Sequence, residues 1–239
     1  MVKLSELEIA TPMPPDFKTH LNYVSYMSRL SKDLEIKLNL PGKFNAYNAL
    51  AAITVATVYN IPADKIQKGL AGVKGVDGRL QMVAKNVMVD FAHTPNALSE
   101  LLSFLRPKVS GKIILVFGSA GERDQAKRPL MGEAADRYAD MIVLTREDNR
   151  RENAADICEQ IAKGVKAKKK GEGYFIVPDR REAIRFALQK ARENDLVVVT
   201  GKGHEQSLNI DGKETPWDDR KVTSEELARL SSWREHSDR

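Results

Sequence analysis

From Val87 onward the chain alternates short apolar runs with amphipathic stretches: VMVDFA then PNALSELLSFL, KIILVFG then KRPLMGEAADRYA, MIVLT then AADICEQIAKGVK, and GYFIV then REAIRFALQKAR. LVVVTG follows, with a last short helix at SEELARL. Apolar runs of this length read as strands, and the stretches between them carry helical spacing. Strands that are apolar on both faces must be covered on both, which a mostly parallel sheet achieves with helices on each side. Right-handed crossovers then predict an α/β fold, a doubly wound Rossmann-like sheet. Ligands collect at the carboxyl ends of such strands, so the residues just after each strand are the place to look for function.

The first part of the chain is less regular. DLEIKLNL, from Asp33 to Leu40, alternates apolar and polar residues as a half-buried strand does, and THLNYVSYM upstream reads as another strand or two. KFNAYNALAAITVATVYN has helical spacing, and a second helix opens at Pro62 and ends near Gly72. These helices finish a domain whose other strands are expected to lie outside the chain, because fewer than about 80 residues with one convincing strand make a marginal core.

At 239 residues, 42% hydrophobic and 30% charged, the composition is that of a soluble globular protein and excludes general disorder. No apolar run approaches the roughly 20 residues of a membrane helix. The amino terminus lacks an apolar signal region, and the single cysteine, Cys158, cannot form an internal disulfide, so a reducing, cytoplasmic setting is expected. The net charge of +5 raises a nucleic-acid partner. The densest basic run, VKAKKKGEG, has no interleaved aromatics and reads as a solvated loop, so neither a nucleic-acid nor a membrane partner is expected. There is no zinc-type spacing of cysteine and histidine.

Four of the five strand ends are rich in charged residues and glycine. They are DFAHTP from Asp90, GSAGERDQAKRP from Gly118, TREDNRRE from Thr145 and TGKGHE from Thr200. Taken singly, an Asp after a strand is commonly a helix cap, Gly-Lys-Gly a turn, and an Arg/Asp mixture a surface ion-pair cluster. The topology brings all four to one rim. The mixture there suits a zwitterionic, amino-acid-like ligand, since guanidinium clamps a carboxylate and carboxylates hold an ammonium. No G-x-x-x-x-G-K-[ST] loop occurs, and the glycines fail the G-x-G-x-x-G fingerprint. The residues alone lead to a Rossmann-like domain that binds a charged small molecule.

The segments LPGKFNAYNALAA, GVDGRLQ, VDFAHTPNAL, VFGSAGERDQAKRPLMGEAA, TREDNRRE, DRREAI, GKGHEQ and WDDR run in order from about residue 39 to 222. In this combination the chain resembles the carboxy-terminal half of a Mur ligase of the MurE type. The resemblance implies an ATP-dependent amide ligase of peptidoglycan precursor synthesis. In that chemistry ATP phosphorylates a carboxylate of UDP-N-acetylmuramoyl-L-alanyl-D-glutamate, and the amine of a diamino acid displaces phosphate from the acyl phosphate. A carboxylate is a poor acyl donor until phosphorylated, and Mg²⁺ with basic side chains offsets the charge that builds up.

The family has three domains, and this chain lacks the phosphate loop, the Mg²⁺ ligands and the modified lysine of the central one. Residues 1–77 are therefore expected to be the carboxy-terminal fragment of a central ATP-binding domain, and 78–239 the complete amino-acid-binding domain. The chain would be a truncated or split enzyme, inactive alone. ATP and Mg²⁺ are the implied cofactors of the complete enzyme, and neither is expected to bind this chain tightly. The implied partners are a diamino acid, the UDP-N-acetylmuramoyl dipeptide and the missing amino-terminal half. A non-catalytic Mur-like binding or assembly module acting with another chain is the competing reading.

Carried over by motif, Asn45 and Asn48 would lie near adenine and ribose, Arg79 near the phosphates, and Asp90 and His93 beside the nucleotide. The resemblance assigns Arg123, Glu147, Asp148, Asn149, Arg150, Gly201 and Glu205 to the amino-acid site. Arg123 and Arg150 would hold a carboxylate of the incoming diamino acid, and Glu205 its ammonium. It assigns no metal ligand and no catalytic residue. The diaminopimelate-adding members carry D-N-P-R where this chain has Glu147-Asp148-Asn149-Arg150 or, shifted, Asp148-Asn149-Arg150-Arg151. Arg stands last in both registers and the proline is missing, so a second substrate carboxylate, as in meso-diaminopimelate, is favoured over lysine.

Overall fold

The computed structural model describes residues 2–3 and 35–237. The chain divides into two compact units, Met1–Gly75 and Val76–Arg239. In the first, β1 (Val2–Lys3) pairs antiparallel with β2 (Glu35–Ile36), followed by α1 (Lys43–Val58) and α2 (Ala63–Gly72). Of the alternating run to Leu40, only Glu35–Ile36 is strand among the described residues, because a strand extends only as far as a partner offers hydrogen bonds. The strands expected in THLNYVSYM lie outside the described residues. Ile36, Ile53 and Ile66 form a small core, with Leu38, Ala56 and Leu70 packed against it.

The second unit runs β3 (Gln81–Ala84), β4 (Val87–Asp90), α3 (Pro95–Leu105), β5 (Ile113–Phe117), α4 (Lys127–Tyr138), β6 (Met141–Leu144) and α5 (Ala154–Ala162). It continues through β7 (Tyr174–Ile176), α6 (Arg180–Lys190), β8 (Leu196–Thr200), β9 (Ser207–Ile210), β10 (Lys213–Pro216) and α7 (Asp219–Ser237). The sheet order is β3-β4-β8-β5-β6-β7, antiparallel only where β3 meets β4. The chain steps outward from β5 to β7, then α6 carries it back to place β8 between β4 and β5.

Strand parity builds the two cores. Met88, Ile113, Leu115, Phe117, Ile142, Leu144 and Val198 face α3, α4 and α5, where Leu98, Leu102, Met131 and Ile161 meet them. Their neighbours Val87, Val89, Ile114, Val116, Val143, Val197 and Val199 face α6 and α7, against Ala183, Ile184, Ala187 and Val222. Each strand feeds both layers, as a parallel sheet buried on both faces requires. Cys158 is packed into the first core, and burial pushes its thiol up to about 12, which makes it an inert filler. Thr94, Asn153 and Asp179 cap α3, α5 and α6 through side-chain oxygens.

Three features differ from the sequence reading. β3 is an added antiparallel edge strand, β9 and β10 form a hairpin, and the last helix is 19 residues long rather than short. The VKAKKKGEG run is also tied down: Lys168 reaches Asp136 Oδ1 at 3.1 Å, and Lys170 pairs with Glu159. No helix among the described residues is long and apolar enough to cross a membrane.

Candidate functional site

At the end of β4, Asp90 is buried and both its oxygens are engaged, accepting from the Leu80 and Ala92 N–H groups at 2.8 Å each. It fastens the loop before β3 to the β4 end, so its observed contacts are structural. His93 Nδ1 lies 2.9 Å from the Phe91 carbonyl, and Lys127 Nζ donates to the His93 carbonyl at 3.1 Å. Phe91 is a hub. The exposed Arg79 lies 4.4 Å above its ring, and the His93 and His204 rings pack against it at 4.6 and 5.0 Å. Gly78, at φ 64°, makes this possible, because a Cβ there would lie 2.1 Å from the His204 nitrogen. A cation and three rings at one sheet end fit an anionic, aromatic ligand such as a nucleotide. The sequence reading missed Phe91 and His204, though an aromatic inside DFAHTP and a histidine inside GKGHE were visible signals.

Asn45 and Asn48 belong to the first unit. Asn45 Nδ2 donates to the Pro41 carbonyl at 2.7 Å and Asn48 Nδ2 to Asn45 Oδ1 at 3.1 Å, which organises the start of α1.

The other strand ends form a second group. Glu147, after β6, is buried, and burial pushes its carboxyl above the usual range, opposed in part by Arg180, Lys127 and His93. Its Oε2 has no hydrogen-bond partner among the described residues, nor do the buried Ser119 Oγ, Asn149 Oδ1 and Thr200 Oγ1. Such orphans are rare in native proteins, and these four lie at the carboxyl ends of β5, β6 and β8. Gly201, at φ 112°, keeps this place open: a Cβ there would lie 2.8 Å from Glu147 Oε2.

Lys202, only 2% exposed, sits between two carboxylates, Asp148 Oδ1 at 2.8 Å and Glu205 Oε2 at 2.5 Å. Burial alone would lower its ammonium pKa, but the two carboxylates outweigh burial and raise it. Asp148 Oδ1 also accepts the Asn209 N–H at 2.9 Å, and Asn149 Nδ2 holds the Glu152 carbonyl at 2.9 Å. Asp148 and Asn149 therefore brace the loop. Glu205, with 40% of its side chain exposed, keeps carboxylate surface for a ligand.

Arg150 adopts a left-handed backbone, φ 50°, and its guanidinium donates to the Gly121 carbonyl at 3.2 Å, which brings it to the loop that carries Arg123. Arg123 and Arg151 are exposed. Arg128, grouped with Arg123 and Lys127 in the sequence, is instead fully buried, bonded through its two terminal nitrogens to Glu152, Gln160 and the Ala120 carbonyl. The edge thus offers guanidinium groups on the β5 and β6 loops and carboxylates on the β6 and β8 loops. Among the described residues, no three His, Cys, Asp or Glu side chains gather to hold a metal ion.

A family model described as Mur ligase, glutamate ligase domain, matches residues 78–203. The chain is 41% identical over 226 residues to the UDP-N-acetylmuramoyl-L-alanyl-D-glutamate–2,6-diaminopimelate ligase of Caldanaerobacter subterraneus subsp. tengcongensis, covering 92% of this chain and 46% of that protein. It is 44% identical over 202 residues to the UDP-N-acetylmuramyl-tripeptide synthetase of a Roseiflexus species, covering 82% of this chain and 40% of that one. A solved UDP-N-acetylmuramoyl-L-alanyl-D-glutamate–2,6-diaminopimelate ligase matches with a TM-score of 0.62 at 33% identity, over 82% of this chain and 40% of that chain. A folylpolyglutamate synthase of Mycobacterium tuberculosis, TM-score 0.56 at 21% identity, covers 82% of this chain and 41% of that one and shares the fold alone. The chain spans less than half the length of these relatives.

Proposed function

Because the chain belongs to the Mur ligase family, we propose that it is the carboxy-terminal portion of an ATP- and Mg²⁺-dependent ligase that adds meso-diaminopimelate to UDP-N-acetylmuramoyl-L-alanyl-D-glutamate. Residues 1–77 would then end the central ATP-binding domain, and 78–239 form the amino-acid-binding domain. The observation that carries the reading is the opposed charge at the carboxyl edge. Arg150, pinned at 3.2 Å to the Gly121 carbonyl beside the Arg123 loop, serves a substrate carboxylate, and the exposed part of Glu205 serves an ammonium. Arg150 rather than Arg151 is the arginine that reaches the neighbouring strand end, which supports the unshifted register.

Arg79 on Phe91, with His93 beside it, would receive the nucleotide. ATP, when bound, supplies the phosphoryl group that turns a carboxylate into an acyl donor. This chain's residues orient the incoming amine, and Glu147, next to Gly201, favours a cation nearby when ionised.

Fusion of this chain to the amino-terminal part of the 41% identical relative tests the reading. The fusion should release phosphate from ATP only when the UDP-N-acetylmuramoyl dipeptide and diaminopimelate are both present. Equal turnover with lysine, or turnover without any amino acid, would contradict it.

A further inference from the structure

Two stretches, DRREAI from Asp179 and WDDR from Trp217, were given no ligand contact in the site described above, yet they meet beside it. The side chains of Arg180 and Asp219 are both 0% exposed and form a bidentate pair, Nε to Oδ1 at 2.8 Å and Nη2 to Oδ2 at 2.6 Å. Trp217 Nε1 donates to the same Asp219 Oδ1 at 2.8 Å and helps to hold the carboxylate in place. The remaining donors of the guanidinium point at two strand ends. Nη2 donates to the Thr200 carbonyl at 2.7 Å and Nη1 to the Arg146 carbonyl at 3.1 Å.

Thr200 immediately precedes Gly201 and Lys202, and Arg146 immediately precedes Glu147 and Asp148. These strand ends are not neighbours in the sheet, because β5 lies between β8 and β6. No ladder hydrogen bond therefore joins their loops; besides the Lys202–Asp148 ion pair at 2.8 Å, one planar guanidinium spans them. We propose that Arg180, held by Asp219 and Trp217, is the positioning residue that fixes the spacing of the two loops carrying Glu147, Asp148, Lys202 and Glu205, and so the geometry offered to the amino acid. The part concerning the amino acid rests on the function proposed above, whereas the loop spacing does not.

Lysine in this place keeps the charge but has no fork, so it cannot hold both carbonyls and both Asp219 oxygens at once. The test compares the 239-residue chain with Arg180→Lys, Trp217→Phe and the control Glu226→Gln, whose carboxylate binds arginines between α6 and α7 and touches neither strand end. Amide hydrogen exchange is read at Arg146, which bonds to the Pro178 carbonyl, and at Glu205, which bonds to the Lys202 carbonyl. Diaminopimelate affinity is read by calorimetry.

Arg180→Lys should speed exchange at both amides by about tenfold or more relative to those of β5, and weaken diaminopimelate by about tenfold. Trp217→Phe should show the same pattern at about threefold and decides the matter alone if Arg180→Lys does not fold. Glu226→Gln should move melting without this local signature. Loosening of the two loops without diaminopimelate binding by the wild-type chain would uphold the clamp and sink the substrate assignment. Unchanged exchange at Arg146 and Glu205 in both clamp variants, or the same change in Glu226→Gln, would overturn the clamp.

Discussion

Glu226 has no exposed side-chain surface, yet it is surrounded by charge: Arg181 and Arg185 each reach it at 2.7 Å and Arg229 at 3.2 Å. Burial pulls its pKa upward, but the hydrogen bonds from Arg185 and Arg181 prevail and hold the carboxyl below its ordinary value. A depressed carboxylate stabilises the fold above its unfolded pKa, and that stabilisation disappears as pH falls through the lower folded value. Glu226→Gln should therefore cost about 1–2 kcal/mol at pH 7, discounted for arginines that are partly exposed. The difference should shrink as pH drops below roughly 4. Urea midpoints of the two proteins across pH 3–7 check this, and a gap that stays constant into acid would refute it. At the same scale, part of the candidate site was legible in the sequence and part was not. Arg150 and Glu205 stand in motifs at strand ends, where sequence position announces them. Arg180, Arg128 and Lys202 are charged residues that the fold buries, and nothing local in DRREAI, KRP or GKG distinguishes a buried cation from a solvated one.

Among the elements, the hairpin of β9 and β10 has the most direct effect on the site. Asn209 gives its N–H to Asp148 and takes the Arg150 N–H on its carbonyl at 3.2 Å, so the hairpin holds the loop that presents Arg150 in its left-handed conformation. Replacing residues 208–215 with a short glycine-serine link should leave the sheet intact while exchange at the Arg150 amide rises by an order of magnitude or more. An unchanged Arg150 amide would show that the loop is held without the hairpin. The hairpin escaped the sequence reading although Asp211-Gly212 is a turn signal, because the flanking residues SLNI and KETP are mostly polar and fully exposed on β10. β3 was hidden because QMVA is a short, half-exposed edge strand of four residues. The strands β4, β5, β6 and β8 were legible because double-sided burial demands continuous apolar runs. The last helix proved longer than SEELARL: Leu227 and Leu230 of that segment, with Val222 just before it, pack on the core.

For the whole molecule, the proposed amino-acid site lies on the carboxyl edge of the second unit, at the ends of β5, β6 and β8, and would select a ligand with a second carboxylate. Charge-assisted hydrogen bonds of this kind contribute on the order of 1.5–3 kcal/mol each, enough to separate two ligands that differ by one carboxylate. The most direct measurement is calorimetric titration of the 239-residue chain with meso-diaminopimelate and with lysine, for wild type, Arg150→Ala and Arg151→Ala. The account predicts that diaminopimelate binds more tightly than lysine. Arg150→Ala should weaken diaminopimelate by roughly ten- to a hundredfold while changing lysine little, and Arg151→Ala should change neither. Equal affinity for the two amino acids, or an Arg150→Ala protein that binds both as the wild type does, would contradict it.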